Sequence, residues 1–178
     1  MKEKICSFTG HRVLPEKKLL EIRQETQKLA EQLIIQGVRC FRVGGAVGYD
    51  TLAAEALFEL RERYPKIRVE LFYPFDGFTA SWQEEQLKTY ERLLPHYDKV
   101  VCVCKASVRP AYAYLKRDRV MVDGANYLIA YCIKKSGGAA YTVRYAEKCG
   151  CEVWNIPMIE MHRIHPQTSS QLSESMLH

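Results

Sequence analysis

Four segments of the sequence combine residue types that suit recognition of a phosphorylated ligand. The first is Thr9-Gly10-His11-Arg12, which offers a hydroxyl, a flexible backbone, an imidazole and a guanidinium. An arginine here suits a phosphate, because its planar fork of N–H donors grips phosphate oxygens in a bidentate manner. The alternative is an exposed loop in which Arg12 pairs with a carboxylate and His11 caps or packs.

The second segment is the glycine-rich stretch GGAVGYDT at 44–51. It differs from GxGxxG and lacks the Lys-Ser/Thr pair of a P-loop, but its glycines still let the backbone approach a ligand closely. Asp50 or Thr51 stands where a helix N-cap is expected. Because a carboxylate beside a phosphate is unfavourable, Asp50 either caps the helix or accepts hydrogen bonds from ribose hydroxyls. The glycines of this segment are Gly44, Gly45 and Gly48.

The third segment is SGGAAYT at 136–142, between a predicted strand and a predicted helix. Gly137 and Gly138 offer backbone N–H groups to an anion, and Thr142 offers a hydroxyl. A plain tight turn is the alternative. Because the three glycine-containing segments fall at equivalent strand ends, together they indicate a ligand site more strongly than any one alone.

The fourth segment is charged rather than glycine-rich. Arg117 lies in the basic stretch 116–119 on a predicted helix, and Asp123 follows just before the fifth predicted strand. Asp123, like Asp50, is a candidate partner for ribose hydroxyls. A solvated helix face, the usual fate of a charge run, is the alternative.

The elements that position these segments follow from hydrophobic periodicity. Strands that alternate with helices at this spacing predict a parallel sheet covered on both faces. The predicted fold is therefore α/β, a three-layer Rossmann-like domain with a mainly parallel sheet flanked by helices on both faces. In such a sheet ligands collect beyond the carboxyl ends of the strands, where the glycine segments lie. The predicted strands are 4–9, 40–43, 67–73, 99–104, 127–133 and 152–156.

Length and composition fit one domain. The chain has 178 residues, 47% hydrophobic and 26% charged, which are ordinary globular values. We assign 1–159 to a single Rossmann-like domain and the polar stretch 160–178 to a mobile or loosely docked tail. No apolar run approaches the roughly 18 residues of a membrane span, and the N-terminus lacks the apolar core of a secretory signal. A cytoplasmic location with no membrane partner is expected.

The cysteines and the net charge bear on whether a metal site or a nucleic-acid site is expected. Seven cysteines form an odd set, which suits reduced thiols packed in a core. Cys102 and Cys104 are two residues apart on a predicted strand, so we expect both on one buried face, and no metal site is predicted. The formal charge of +5 is compatible with an anionic ligand but falls short of the excess typical of a dedicated nucleic-acid binder.

Taken in order, the motifs resemble one protein family. They are SFTGHR at 7–12, GGAVGYDTLAAE at 44–55, YLKRDRVMVDGANYLIA at 114–130 and SGGAAYTVRYAEKCGCEV at 136–153. Together they closely resemble the YpsA-like (DUF1273) branch of the SLOG superfamily of Rossmann-like proteins, over about residues 4–157. The superfamily also includes the LOG-type phosphoribohydrolases and the DNA-processing protein DprA. The resemblance implies a nucleotide-type ligand such as NAD or ADP-ribose. It implies a role in regulation or signalling as much as a role in catalysis.

The resemblance also implies which residues form the ligand loops. Two positions depart from the family pattern: Asp118 stands where asparagine often follows the arginine, and Ala139 where a threonine commonly follows the paired glycines. The added charge and the missing hydroxyl bear on the affinity and identity of the ligand. Carried onto this sequence, the loops comprise Thr9, Gly10, His11, Arg12, Gly44, Gly45, Gly48, Asp50, Arg117, Asp123, Gly137, Gly138 and Thr142.

Three functions are compatible with these residues. The leading hypothesis is a regulatory or sensory protein that binds a nucleotide-derived ligand, because it needs no unobserved catalytic group. Nucleotide N-glycosidic hydrolysis of LOG type needs a carboxylate near the anomeric carbon, but Val143, Arg144 and Tyr145 follow Thr142 where the LOG pattern has glutamate, so no catalytic residue is assigned. Single-stranded DNA binding of DprA type would use the basic and tyrosine residues of 109–119. A homo-oligomer is also expected.

Overall fold

Six parallel strands form a single sheet with helices on both faces, in a computed structural model that describes residues 1–164. The strands are β1 (Ile5–Gly10), β2 (Cys40–Val43), β3 (Arg68–Tyr73), β4 (Lys99–Cys102), β5 (Tyr127–Tyr131) and β6 (Glu152–Asn155). The helices are α1 (Leu19–Ile35), α2 (Tyr49–Arg63), α3 (Glu84–Leu93), α4 (Pro110–Val122), α5 (Gly138–Lys148) and α6 (Ile156–Ile164), with short 3-10 turns at Glu16–Lys18 and Leu94–His96.

The direction in which strands are added to the sheet reverses once. The spatial order is β4-β3-β2-β1-β5-β6, so the chain builds outward from β1 to β4 and then crosses back through α4 to β5. Strand β1 therefore pairs with both β2 and β5, and Thr9 of β1 lies opposite Ala130 of β5. The reversal between β1 and β5 is a topological switch point, the place where open α/β sheets hold ligands beyond the strands' carboxyl ends.

The two helical layers follow from this reversal. Right-handed crossovers place helices on opposite faces when the direction of strand addition changes. Helices α1, α2, α3 and α6 accordingly pack on one face, and α4 and α5 on the other. The predicted three-layer α/β architecture is confirmed, with every strand pair parallel.

The main core lies between the sheet and the face covered by α1 and α2. Phe8 and Phe41 on the sheet and Ile22, Leu33 and Leu57 on the helices are all at most 1% exposed. Strands buried on both faces read as near-continuous apolar runs, which is why the strand predictions from sequence hold for the central strands. This packing fixes the backbone beneath the carboxyl edge of the sheet.

The C-terminal boundary differs from the predicted start of the tail at residue 160. Helix α6 continues through 160–164, because Ile156 is buried and Arg163 of α6 forms an ion pair with Glu25 of α1 at 2.8 Å. The remaining predicted tail, 165–178, lies outside the described residues. None of the helices within residues 1–164 has the length and apolar character needed to cross a membrane.

The cysteines are all free thiols. The expectation that Cys102 and Cys104 share one buried face is wrong for Cys102, which is exposed while Cys104 is buried. The reason is that β4 is an edge strand and ends at Cys102, so the two residues do not lie on one strand. No group of three or more His, Cys, Asp or Glu side chains within 1–164 is placed to hold a metal ion.

Candidate functional site

A cavity of about 240 Å³ lies at the switch point, beyond the carboxyl ends of β1 and β5. It brings together residues from all four segments that the sequence singles out, separated by more than a hundred residues along the chain. The predicted site residues that line it are Thr9, Gly10, His11, Arg12, Asp50, Arg117, Gly137 and Gly138.

Two of the predicted glycines allow backbone segments to pack closely. A Cβ at Gly10 would come within 2.5 Å of the Tyr49 side chain, and one at Gly48, where φ is +83°, would collide with the carbonyl of Arg12. The Tyr49 amide donates to the carbonyl of His11 at 3.1 Å. These contacts hold the start of α2 against the loop after β1, so Gly10 and Gly48 shape the wall of the cavity.

Arg117 joins α4 to the loop that follows β2. Its Nη1 donates to the carbonyl of Gly44 at 2.5 Å and its Nε donates to the Asp118 carboxylate at 2.7 Å. The residue is only 5% exposed. A buried guanidinium needs such partners, so Arg117 positions the loop and has little surface to offer a ligand.

Asp50 lies in the first turn of α2, and Gly48 occupies the N-cap position in its place. The predicted N-cap role is wrong because the positive φ of Gly48 turns the chain early and places Tyr49 inside the helix. Asp50 instead accepts the Ala46 N–H at 3.3 Å. Burial raises the pKa of its carboxyl to about 6; the nearby Arg117 lowers it and Asp118 raises it.

His11 connects the loops that follow β1 and β5. Its Nε2 accepts the Ile133 N–H at 2.8 Å and the Lys134 N–H at 3.3 Å. Burial lowers the pKa of the imidazole and the ammonium of Lys134 lowers it further. A neutral ring with an unprotonated Nε2 satisfies both contacts, so His11 supports the backbone that carries the third segment.

Three groups are placed to meet an anion in the cavity. Arg12 is exposed, with its guanidinium carbon 4.9 Å from the centroid of the Tyr114 ring. Lys134 also lines the cavity and is exposed. Helix α5 begins at Gly138 after Gly137, which supplies no side-chain cap, so the amides of its first turn present partial positive charge.

The remaining predicted residues do not line the cavity. Asp123 ends α4 just before β5, at the amino edge of the sheet, and accepts a hydrogen bond from the Tyr145 hydroxyl at 2.7 Å. Its expected contact with ribose hydroxyls at this site is therefore corrected. The Thr142 hydroxyl donates to the carbonyl of Gly138 inside α5. Gly44 and Gly45 support the loop, since a Cβ at Gly45 would meet the Leu71 side chain at 2.7 Å.

The lining residues that the predicted site lacks include Lys134 and Tyr114. Lys134 follows β5 directly, and its position at a carboxyl strand end was the signal that could have found it. Tyr114 was considered only for DNA stacking, but its ring lies against the guanidinium groups of both Arg12 and Arg117. Its placement on the first turns of α4 explains this, because that helix starts near the carboxyl edge.

Comparison with known families assigns the chain to one of them. The family model described as the YspA SLOG family (YpsA) matches residues 14–164. The chain belongs to the YpsA family of SLOG proteins. The matched range runs from the loop after β1 to the end of α6 and includes the second, third and fourth segments. Family and fold together support a nucleotide-related ligand in general terms.

Curated relatives of this YpsA-family chain come from bacilli. A UPF0398 protein from Bacillus pumilus is 27% identical over 152 residues, covering 81% of this chain and 82% of the relative. A UPF0398 protein from Halalkalibacterium halodurans is 31% identical over 125 residues, covering 70% of this chain and 65% of the relative. The chain thus spans most of the length of these relatives.

Solved structures share the fold at low sequence identity. DNA processing protein A (DprA) from Streptococcus pneumoniae superposes with a TM-score of 0.62 at 16% identity, covering 85% of this chain. DprA from Helicobacter pylori superposes with a TM-score of 0.60 at 19% identity, covering 84% of this chain. The chain spans 49% of the first protein and 63% of the second, so the likeness covers only part of each DprA chain.

Proposed function

We propose that this YpsA-family protein binds a nucleotide-derived ligand of the NAD or ADP-ribose type in the switch-point cavity, in a regulatory or sensory role. The observation that carries the proposal is the convergence of Arg12, Lys134 and the start of α5 on one cavity between β1 and β5. Cationic side chains and uncapped helix amides together favour phosphate groups.

The phosphates would lie between Arg12 and the first turn of α5. Within residues 1–164 the Arg12 side chain rests on the Tyr114 ring and makes no hydrogen bond, whereas Arg117 is held by two hydrogen bonds. A charge-assisted hydrogen bond contributes roughly 1.5–3 kcal/mol. Arg12 is therefore the side chain on which we expect phosphate affinity to depend most.

Ribose hydroxyls would meet the acidic side of the cavity. Asp50 and Asp118 both line it and both lie beside Arg117. Carboxylates accept hydrogen bonds from hydroxyl groups, and the buried guanidinium offsets part of their charge. A sugar next to this pair keeps the phosphates away from the negative groups, which removes the conflict between Asp50 and an anionic ligand.

A thermal-shift panel of NAD, ADP-ribose, AMP and a short single-stranded oligonucleotide tests the proposal. A ligand at a hundred times its dissociation constant stabilises the folded state by about 2.7 kcal/mol. We expect NAD or ADP-ribose to raise the melting temperature. Stabilisation by the oligonucleotide alone would contradict the proposal. The protein is also incubated with each nucleotide and assayed for released base, since LOG-type hydrolysis would produce it.

Single-stranded DNA binding is the second candidate. An exposed basic and aromatic surface on α4 and α5 favours it: the Arg119 guanidinium lies within 6 Å of the Tyr141 and Tyr145 rings, and Tyr112 is 55% exposed. The DprA from Helicobacter pylori has a single-stranded DNA binding mode. Basic grooves with aromatic platforms bind single strands. Fluorescence anisotropy with a labelled oligonucleotide would then show an affinity that falls steeply with salt.

A further inference from the structure

A second and larger cavity of about 620 Å³ adjoins the switch-point cavity. It lies among the starts of α1 and α2 and the first turns of α3, and Arg12 lines both cavities. Its walls are mainly apolar, with Leu14, Leu19, Leu20 and Leu52 contributing. The two cavities therefore share one cationic residue and differ in the character of their walls.

The apolar wall is unusual for a helix start. Leu20 is 69% exposed and Leu19 is 42% exposed. Scattered surface leucines need no explanation, but apolar residues that cluster around a cavity mark a binding surface. These side chains leave apolar area in water that a bound group could cover.

Two charged residues of the larger cavity, Arg23 and Glu55, are held in an ion-pair cluster. Arg23 forms an ion pair with Glu55 at 2.8 Å, and Arg92 also bonds Glu55 at 3.1 Å. The α3 wall adds the uncharged Gln86 and Thr89, and Glu85, whose side chain is 90% exposed at the rim. Such a cavity suits a flat, uncharged group that carries hydrogen-bonding atoms at its edge, which describes a nucleobase.

Cavity size agrees with a ligand that occupies both cavities. The switch-point cavity, at about 240 Å³, is below the roughly 300–1,000 Å³ of pockets that enclose a drug-sized ligand. We propose that the larger cavity receives the nucleobase end of the same ligand whose phosphates occupy the smaller one, with Arg12 at the boundary. This inference rests on the proposed function and specifies a nucleotide with a base attached.

The test compares two probes in calorimetric titrations. ADP-ribose carries a base and a diphosphate group, whereas inorganic pyrophosphate is the diphosphate group alone. The variant is Leu19→Gln with Leu20→Gln, and the matched control is Ile35→Gln, an exposed apolar residue at the far end of α1. All these positions are exposed, and thermal melts without ligand verify that each variant folds as the wild type does.

We expect the double variant to bind ADP-ribose about tenfold more weakly, as removal of apolar contacts worth about 1.4 kcal/mol would give. Its affinity for pyrophosphate and the affinities of the control should match the wild type. Unchanged ADP-ribose affinity in the double variant would overturn the inference. Equal wild-type affinity for both probes would overturn it while leaving the phosphate site standing. A wild type that binds neither probe would remove the proposed function and this inference together.

Discussion

The guanidinium of Arg117 donates a hydrogen bond to the carbonyl of Gly44, joining α4 to the loop after β2 across 73 residues of sequence. Asp50 lies beside the same glycine, because a Cβ built there would be 2.8 Å from its Oδ2 and 2.7 Å from Nη1 of Arg117. One wall of the cavity thus depends on the small size of a single residue.

Replacement of Gly44 by alanine should destabilise the fold. Arg117 is buried and held by two hydrogen bonds, so it cannot move aside for a methyl group. We expect a loss of about 1–3 kcal/mol, as found for overpacked sites, measured by guanidinium denaturation. The matched variant Gly138→Ala places its Cβ where no atom lies within 4 Å and should leave stability nearly unchanged. Equal stability of both variants would rule out the tight packing at Gly44.

The buried carboxyl of Asp50 predicts a specific pH dependence. Its pKa rises from 3.8 to about 6 on folding, so the folded state binds the proton more tightly than the unfolded state. Its contribution to stability therefore falls as pH rises from about 4 to about 6. The difference of about two pH units corresponds to about 3 kcal/mol.

Asp50→Asn removes this titration and retains an oxygen that can accept the Ala46 N–H. Urea denaturation across this range should show the variant gaining stability relative to the wild type as pH rises. A constant difference between the two proteins from about pH 4 to pH 7 would argue against a perturbed carboxyl.

His11 should change the stability with pH in the direction opposite to that of Asp50. Its folded pKa is lowered, so its contribution is complete above the unfolded value of about 6.5 and is lost as pH falls. Protonation of Nε2 removes the acceptor of the Ile133 and Lys134 amides. Hydrogen-exchange protection of these amides should decrease from pH 7 to pH 5.

The control variant for this experiment is His96→Ala, at an exposed position in the 3-10 turn that precedes β4. It should show the same pH response as the wild type, whereas His11→Ala should leave the two amides weakly protected at both pH values. Protection in His11→Ala equal to that of the wild type would show that the imidazole does not hold this loop.

The fold was predictable from sequence because local signals and burial agree. Strand β2 is buried and leads directly into Gly44, and Gly137 precedes α5, so periodicity and glycine positions both mark the strand and helix ends. Helix α6 was missed because its stability depends on Ile156 and on the ion pair from Arg163 to Glu25, a contact between distant residues. No local pattern encodes that contact.

The site was predictable in position but not in the role of each side chain. Loops at carboxyl strand ends converge by topology alone, which brought Arg12 and Gly138 together as expected. Asp123 precedes β5, so the same rule would have placed it at the opposite edge. The roles of Arg117 and Asp50 depend on the residues that contact them in the folded protein. No local sequence pattern identifies those residues.

Calorimetric titration of ADP-ribose into the wild type, Arg12→Gln and Arg63→Gln determines whether phosphate binding depends on Arg12. Both arginines are exposed and contact a tyrosine ring, Tyr114 for Arg12 and Tyr64 for Arg63, but only Arg12 lines the cavity. We expect Arg12→Gln to bind roughly 10- to 100-fold more weakly, because one charge-assisted contact is lost, and Arg63→Gln to match the wild type. Wild-type affinity in a well-folded Arg12→Gln protein would contradict a phosphate site at the β1–β5 switch point.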